Sequence, residues 1–173
     1  MTLEYIKSKQ ELSYELFLKH KFYKKARAIV VKNGKLFAIK ITYKDGRPDH
    51  YLVPGGGVDE GESIKQAVVR ETLEEYDVNV KPVKYLGRQY YKSRDSFNDV
   101  KFISNRVEYY YICEFLKEAN TNQFGEYGEF DSKEKTYEKV ELSIDEVLQI
   151  DPDNLNNMSR EIYDKVIEYM RGK

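Results

Sequence analysis

The chain has 173 residues, with 29 lysines and arginines against 30 aspartates and glutamates and a formal net charge of −1. That length suits a single domain over residues 1–173 with a proper core, and the near-neutral balance argues against a broad nucleic-acid footprint, which is usually strongly basic. A lone cysteine, Cys113, excludes an internal disulfide, and two distant histidines, His20 and His50, argue against a histidine zinc site.

Nothing in Met1 to Gln10 resembles a signal peptide. The longest purely apolar runs are about as long as Ala28 to Val31, where a membrane span needs ~20 residues. No membrane contact is expected, and the protein reads as soluble and cytoplasmic.

Residues 1–20 form an N-terminal extension, charged and moderately amphipathic. Leu12, Leu16 and Phe17 stand at helical spacing, so Met1 to Lys19 reads as a helix or an extra strand that covers an edge or pairs with a second copy, as in a homodimer. The basic run His20 to Lys25 is a wet surface or a lure for anionic substrates. Ala26–Val31 and Lys35–Ile41 are apolar, β-branched runs around Asn33-Gly34, the strongest short hairpin signal. Asp45 to Pro48 is a loop, and Tyr51 to Pro54 a short strand that delivers the chain to Gly55-Gly56-Gly57.

From that glycine-rich loop the chain runs straight into a helix over Ser63 to Val78. Ser63 and Gln66 form a capping-box pair that fixes the start. At ~100° per residue, Val68, Val69, Thr72, Leu73 and Tyr76 fall on one flank and Ala67, Glu71, Glu74 and Glu75 on another.

Beyond the helix, Val78–Val80 and Val83–Tyr91 read as strand, with Lys81-Pro82 an irregularity because proline cannot donate to a ladder. Lys92 to Asn105 reads as loop. Val107 to Phe115 is a strand by its aromatic and β-branched content, with Cys113 a buried thiol in it. Lys117 to Glu138 is long and polar, either a functional lid or disorder. Ser143 and Glu146 open a short helix to about Ile150. A closing helix from about Leu155 to Arg171, within residues 153–173, puts Leu155, Met158, Ile162 and Val166 into the core. Strands, one central helix, strands and closing helices make a mixed sheet between helices, an α/β fold.

Three carboxylates within one helical turn, Glu71, Glu74 and Glu75, repel one another unless a cation sits among them. The bland reading is a solvated acidic face. What argues against it is the glycine loop at a fixed distance upstream. That loop is not a Walker loop, because it ends Gly61-Glu62-Ser63, nor a Rossmann fingerprint, because Glu60 stands where the third glycine is needed. A phosphate site lined by glutamates must work through a bridging cation.

Gly56, then Glu62, then Arg70-Glu71-Thr72-Leu73-Glu74-Glu75-Tyr76-Asp77-Val78 resembles the Nudix box of the Nudix hydrolases, apart from Thr72, where the family carries a bulky aliphatic residue, and Asp77, where it carries glycine. The resemblance implies an α/β/α sandwich with a mixed β-sheet. It also implies that Glu71, Glu74, Glu75 and the Gly56 carbonyl hold Mg²⁺ or Mn²⁺, hard ions that suit oxygen ligands. The chemistry implied is water attack on a phosphoanhydride. The catalytic set is then Glu74, Glu71 and Arg70, with Glu74 as general base, Glu126 or Glu129 as alternative bases, and Arg70 orienting a glutamate. Glu62 is a water-mediated metal contact or a first-turn residue favoured by the helix dipole.

The substrate class implied is a small-molecule nucleotide, in which a nucleoside diphosphate is linked to another moiety; a nucleoside triphosphate fits best. The chain has no proline between Pro82 and Pro152 and no tryptophan, which makes it unlike the family members that cleave ADP-ribose and NADH respectively. Processing of an RNA 5′ end and a non-catalytic nucleotide-sensing domain are the alternatives. Tyr90, Tyr91 and Tyr109 to Tyr111 could stack on a base or pack within strands.

Overall fold

The computed structural model describes residues 22–97, 100–121 and 134–172. The N-terminal extension and the alternative bases Glu126 and Glu129 lie outside the described residues. So does the middle of the polar stretch after Lys117.

Among the described residues seven strands form one mixed sheet: β1 (Phe22–Lys32), β2 (Lys35–Tyr43), β3 (His50–Leu52), β4 (Gly55–Gly57), β5 (Val78–Phe97), β6 (Val100–Glu118) and β7 (Lys135–Leu142). The spine runs β3-β2-β1-β6-β5, with β4 on β1 and β7 on β2. The β1–β6 pair is parallel and the other pairs antiparallel. Asn33 and Gly34 both take positive φ, 52° and 74°, as the tight hairpin turn between β1 and β2 requires.

Helix α1 (Ile64–Tyr76) covers one face of the sheet, while α2 (Ile144–Leu148) and α3 (Arg160–Met170) belong to the cluster on the other. Alternation along β1 divides its side chains between the two layers. Ala26, Ala28 and Val30 pack with Ala67, Val68 and Tyr76 of α1, and Ile29 packs with Ile162, Tyr163 and Val166 of α3. Ala67 is therefore core, not part of the acidic arc, because its small side chain lets α1 sit close to the strands.

Several boundaries differ from the sequence reading. Gly55–Gly57 is a short strand, its residues in register with Lys25, Ala26 and Arg27. Lys92 to Asn105 is not a loop: β5 continues to Phe97, β6 starts at Val100, and the two stay paired throughout. Ladder bonds use the backbone, so a polar sequence can still form a ribbon. Pro82 falls where the register shifts between Pro82 and Lys84. The closing helix starts at Arg160, not Leu155, because a 3-10 turn at Pro152–Asn154 and positive φ at Asn156 and Asn157 intervene. Leu155 and Met158 are nonetheless core.

Candidate active site

Gly55 is where the two layers meet. Its φ is +152°, and a Cβ there would come 2.9 Å from Arg27 Cα and closer still to the Ala26 carbonyl. Only glycine fits that approach. The Gly55 N–H donates to Glu75 Oε2 at 2.8 Å, and its carbonyl accepts from Arg27 Nη1 at 3.1 Å. One glycine residue thus ties the acidic helix to the buried arginine on the opposite face.

Gly56 lies directly against Glu71, since a Cβ at Gly56 would come 2.6 Å from Glu71 Cδ. The next turn holds itself together: Glu62 N–H donates to Asp59 O at 3.1 Å and Asp59 N–H to Glu62 Oε2 at 3.0 Å. Helix α1 then opens with both arms of the Ser63–Gln66 capping box.

Arg70 stands at the centre of the carboxylates. Its Nε and Nη2 grip Glu62 in a fork at 2.8 and 2.9 Å, and Nη2 also donates to Gly57 O at 2.9 Å. Nη1 donates to Glu71 Oε1 at 2.7 Å and Glu74 Oε2 at 3.2 Å, and Asp59 lies 3.6 Å away. Such fork geometry is what distinguishes arginine from lysine. Glu62 is thus neither a bare dipole-stabilised residue nor an open position: it is Arg70's bidentate partner, and that hydrogen bond holds its carboxyl below the ordinary value.

Glu71 is half-buried, and burial, aided by the charge of Glu74, pushes its carboxyl up despite Arg70 beside it. Glu75 is half-buried on Gly55, and Glu74 is exposed. One arginine faces four carboxylates, Asp59, Glu62, Glu71 and Glu74, with Glu75 next to them. Among the described residues no three such side chains stand close enough to hold a metal ion as they are. Arg70 lies between Glu71 and Glu74 and takes an oxygen of each. The donor set still fits a hard divalent ion, because it offers only oxygens, carries excess negative charge, and includes a desolvated carboxylate that a cation would stabilise.

The two departures from the family pattern have physical counterparts. Thr72 is fully buried and returns its hydroxyl to Val68 O at 2.7 Å. Asp77 takes the left-handed conformation, φ 61° and ψ 39°, caps the helix on Leu73 O, and accepts hydrogen bonds from the backbone and hydroxyl of Thr121. It supplies the turn glycine would have made and pins the end of β6 to it.

A second charged group, missed by the sequence reading, lies on the other face. Glu108 is wholly buried and accepts from Arg27 Nη2 at 3.2 Å, Gln89 Nε2 at 3.0 Å and Tyr110 Oη at 3.0 Å. Arg106 Nε lies 3.3 Å from the same carboxylate. Burial pushes the Glu108 carboxyl up, but Arg27 and Arg106 outweigh that and hold it below the ordinary value. Beside this group is a cavity of about 350 Å³ whose walls include Tyr23, Lys24, Tyr90, Tyr91, Lys92 and Arg106. Of the tyrosines, Tyr90 is 72% exposed and Tyr110 is fully buried. Cys113 is buried, and burial pushes its thiol up to about 12, which leaves it inert. Among the described residues no helix is long and apolar enough to cross a membrane.

The family model for the NUDIX domain matches residues 22–166. The chain belongs to the NUDIX family, hydrolases that act on phosphorus-containing anhydrides and generally use divalent cations. A stretch of 60 residues is 45% identical to an RNA pyrophosphohydrolase of Hydrogenovibrio crunogenus, covering 35% of this chain and 34% of that protein. The match therefore spans about a third of the curated relative's length.

Solved structures share the fold. A NUDIX hydrolase from Nitrosomonas europaea superposes with a TM-score of 0.58 at 18% identity, over 88% of this chain and 91% of that one. A MutT protein from Methanosarcina mazei Go1 gives 0.57 at 16%, over 90% and 99%. A UDP-X diphosphatase gives 0.55 at 16%, over 99% and 72%.

Proposed function

We propose that the protein is a cytoplasmic, Mg²⁺- or Mn²⁺-dependent pyrophosphohydrolase that cleaves the phosphoanhydride of a nucleoside diphosphate linked to another moiety, with a nucleoside triphosphate or related nucleotide as substrate. The observation that carries it is Glu71 and Glu75 set against the Gly55-Gly56 backbone, with Glu74 joined to Glu71 through Arg70. Glu71, Glu74, Glu75 and the Gly56 carbonyl are the groups that would hold the ion. When bound, it neutralises diphosphate charge and makes a water more acidic.

The side chains do the rest. Glu74 is the exposed carboxylate of the three and takes the proton of the attacking water as general base. Arg70 positions Glu71 and Glu74 through one shared guanidinium nitrogen. Glu75 is fixed by Gly55, so the helix and the glycine strand hold one geometry. Positioning and charge stabilisation supply most of the rate in such reactions.

RNA 5′-end hydrolysis is the second reading, favoured by the name of the Hydrogenovibrio crunogenus relative. The test is a panel of nucleoside triphosphates, nucleotide sugars, dinucleotides and triphosphate-ended RNA, each incubated with the protein in Mg²⁺ and in chelator. Metal-dependent release of phosphate or pyrophosphate from a nucleotide is expected. Release from RNA alone would transfer the assignment to the second reading, and no release from any compound would overturn both.

A further inference from the structure

The buried group around Glu108 holds more positive than negative charge. Arg27 and Arg106 both contact the Glu108 carboxylate, and Lys25 lies beside them within reach of its charge but without an ion pair of its own among the described residues. Lys25 stands opposite Glu108 across the β1–β6 pair and opposite Gly57 across the β1–β4 pair. Its ammonium makes no hydrogen bond or ion pair among the described residues, and lies 5.8 Å from the ring of Tyr23. Burial, then the charges of Arg27 and Arg106, push Lys25 down to about 8.

The arginines are incompletely used as well. Arg27 Nε is buried and donates no hydrogen bond, and Arg106 Nε meets Glu108 at 3.3 Å only as an ion pair without hydrogen-bond geometry, although unpaired buried donors are costly and uncommon. Arg106 also lies flat over Tyr91, 4.0 Å from the ring centroid, and donates to the Tyr23 hydroxyl at 3.3 Å. The cavity of about 350 Å³ shares Tyr23, Tyr91 and Arg106 with this group. Arg106 borders the cavity and Lys25, an ammonium with no ion pair among the described residues, stands near it; such an excess of cations is a receptor for an anion.

Its place next to β4 says which anion. Lys25 is the register partner of Gly57, the residue after the Gly56 that touches Glu71, so the two groups lie on opposite faces of one β1–β4 ladder, whose backbones are about 5 Å apart. The charge of Glu75 reaches Lys25. A ligand that spans both sites presents its anhydride to the carboxylates and a further negative group to the cations.

We propose that Lys25 and Arg106, flanked by Tyr23 and Tyr91, bind a phosphate of the substrate beyond the two that flank the scissile bond. The site then selects tri- or polyphosphate chains over diphosphates capped by a neutral sugar. This rests on the pyrophosphohydrolase reading above and adds the residues that choose among its substrates.

Two measurements on wild type, Lys25→Met and Arg106→Lys test it. The first is calorimetric binding of inorganic tripolyphosphate without divalent ion, which needs no turnover. The second is kcat and KM for a nucleoside triphosphate and for a nucleoside diphosphate sugar in Mg²⁺. Lys25→Met is expected to weaken tripolyphosphate binding at least tenfold and to raise KM for the triphosphate by a similar factor, leaving the diphosphate sugar within twofold. Its melting temperature should hold or rise, since an unmatched charge is removed. Arg106→Lys keeps the charge but loses the stacked plane, and should give a smaller loss in the same direction. Unchanged tripolyphosphate binding, or equal losses on both substrates, would overturn the proposal. If no nucleotide is hydrolysed while tripolyphosphate binding still depends on Lys25, the anion site stands and the hydrolase reading fails instead.

Discussion

The two charged groups on either side of β4 are built on opposite plans. Around Arg70, one cation is outnumbered by Asp59, Glu62, Glu71 and Glu74 at a partly open surface. Around Glu108, one anion is outnumbered by Arg27, Arg106 and Lys25 in the interior. Each is unbalanced in its own way: the first carries an excess of negative charge, the second an excess of positive charge. On the function proposed, a nucleotide with a bound metal ion carries both charges and would match each half-site with its opposite. Solvent access sets their energetics apart, because water screens the Arg70 cluster and does not reach Glu108.

The largest effect should come from breaking the link between them. Gly55→Ala puts a methyl group against the Ala26 carbonyl at a φ of +152°. It should cost on the order of 3–5 kcal/mol from overpacking and backbone strain together. Both half-sites would lose register, so denaturant unfolding and turnover should fall together. A variant as stable as wild type would mean that β4 tolerates displacement.

Next comes the buried side alone. Glu108→Gln leaves Arg27 and Arg106 without a counter-charge and should destabilise the protein by about 3 kcal/mol, in line with breaking buried pairs. The pH dependence has a definite sign. The folded carboxyl sits below the ordinary 4.5, so its contribution is full above that value and is lost as pH falls through the folded pKa. Wild type should therefore lose more stability than Glu108→Gln between neutral pH and pH values below 4.5. Parallel stability curves for the two proteins would show that the Glu108 carboxyl titrates alike in the folded and unfolded chain.

On the open side the expected change is in rate and not in stability. Glu75→Gln can still accept from the Gly55 N–H, so the fold should stand while turnover in saturating Mg²⁺ drops by ~10². Wild-type rates in that variant would remove Glu75 from the metal set. Comparison with Glu108→Gln sharpens the contrast, since that substitution is expected to lower stability more than kcat.

The two half-sites also differ in how legible they are in the chain. The acidic group is written within Gly55 to Asp77, in consecutive turns of one helix and the strand before it, so spacing alone brings its members together. The capping boxes at Ser63 and Ser143 and the Asn33-Gly34 turn are local in the same sense, and each forms as the letters indicate. Arg27 and Glu108 are 81 positions apart. Their meeting depends on a parallel β1–β6 register that no local pattern specifies, and Lys25 looks like one more basic residue in the run after His20. The Lys92 to Asn105 ribbon fails for a related reason: its strands are held by backbone pairing, while its residue types are those of a loop. The start of α3 was misplaced because Leu155 and Met158 are buried from a turn, and burial imitates helical spacing.

The smallest predicted effect isolates the first half-site from the second. Ser63 accepts the Gln66 N–H at 3.1 Å and Gln66 returns to the Ser63 N–H at 2.8 Å. Ser63→Ala removes one arm and should cost about 1 kcal/mol. The loss falls at the end of α1 nearest the Asp59–Glu62 turn, so it should loosen the Arg70 fork on Glu62 before it reaches Gly55. Turnover should fall severalfold at most, and tripolyphosphate binding without metal should not change, because Lys25 and Arg106 are held by β1 and β6. Equal weakening of both would mean that the two charged groups form one cooperative unit, and that the capping serine supports the sheet face as well as the helix.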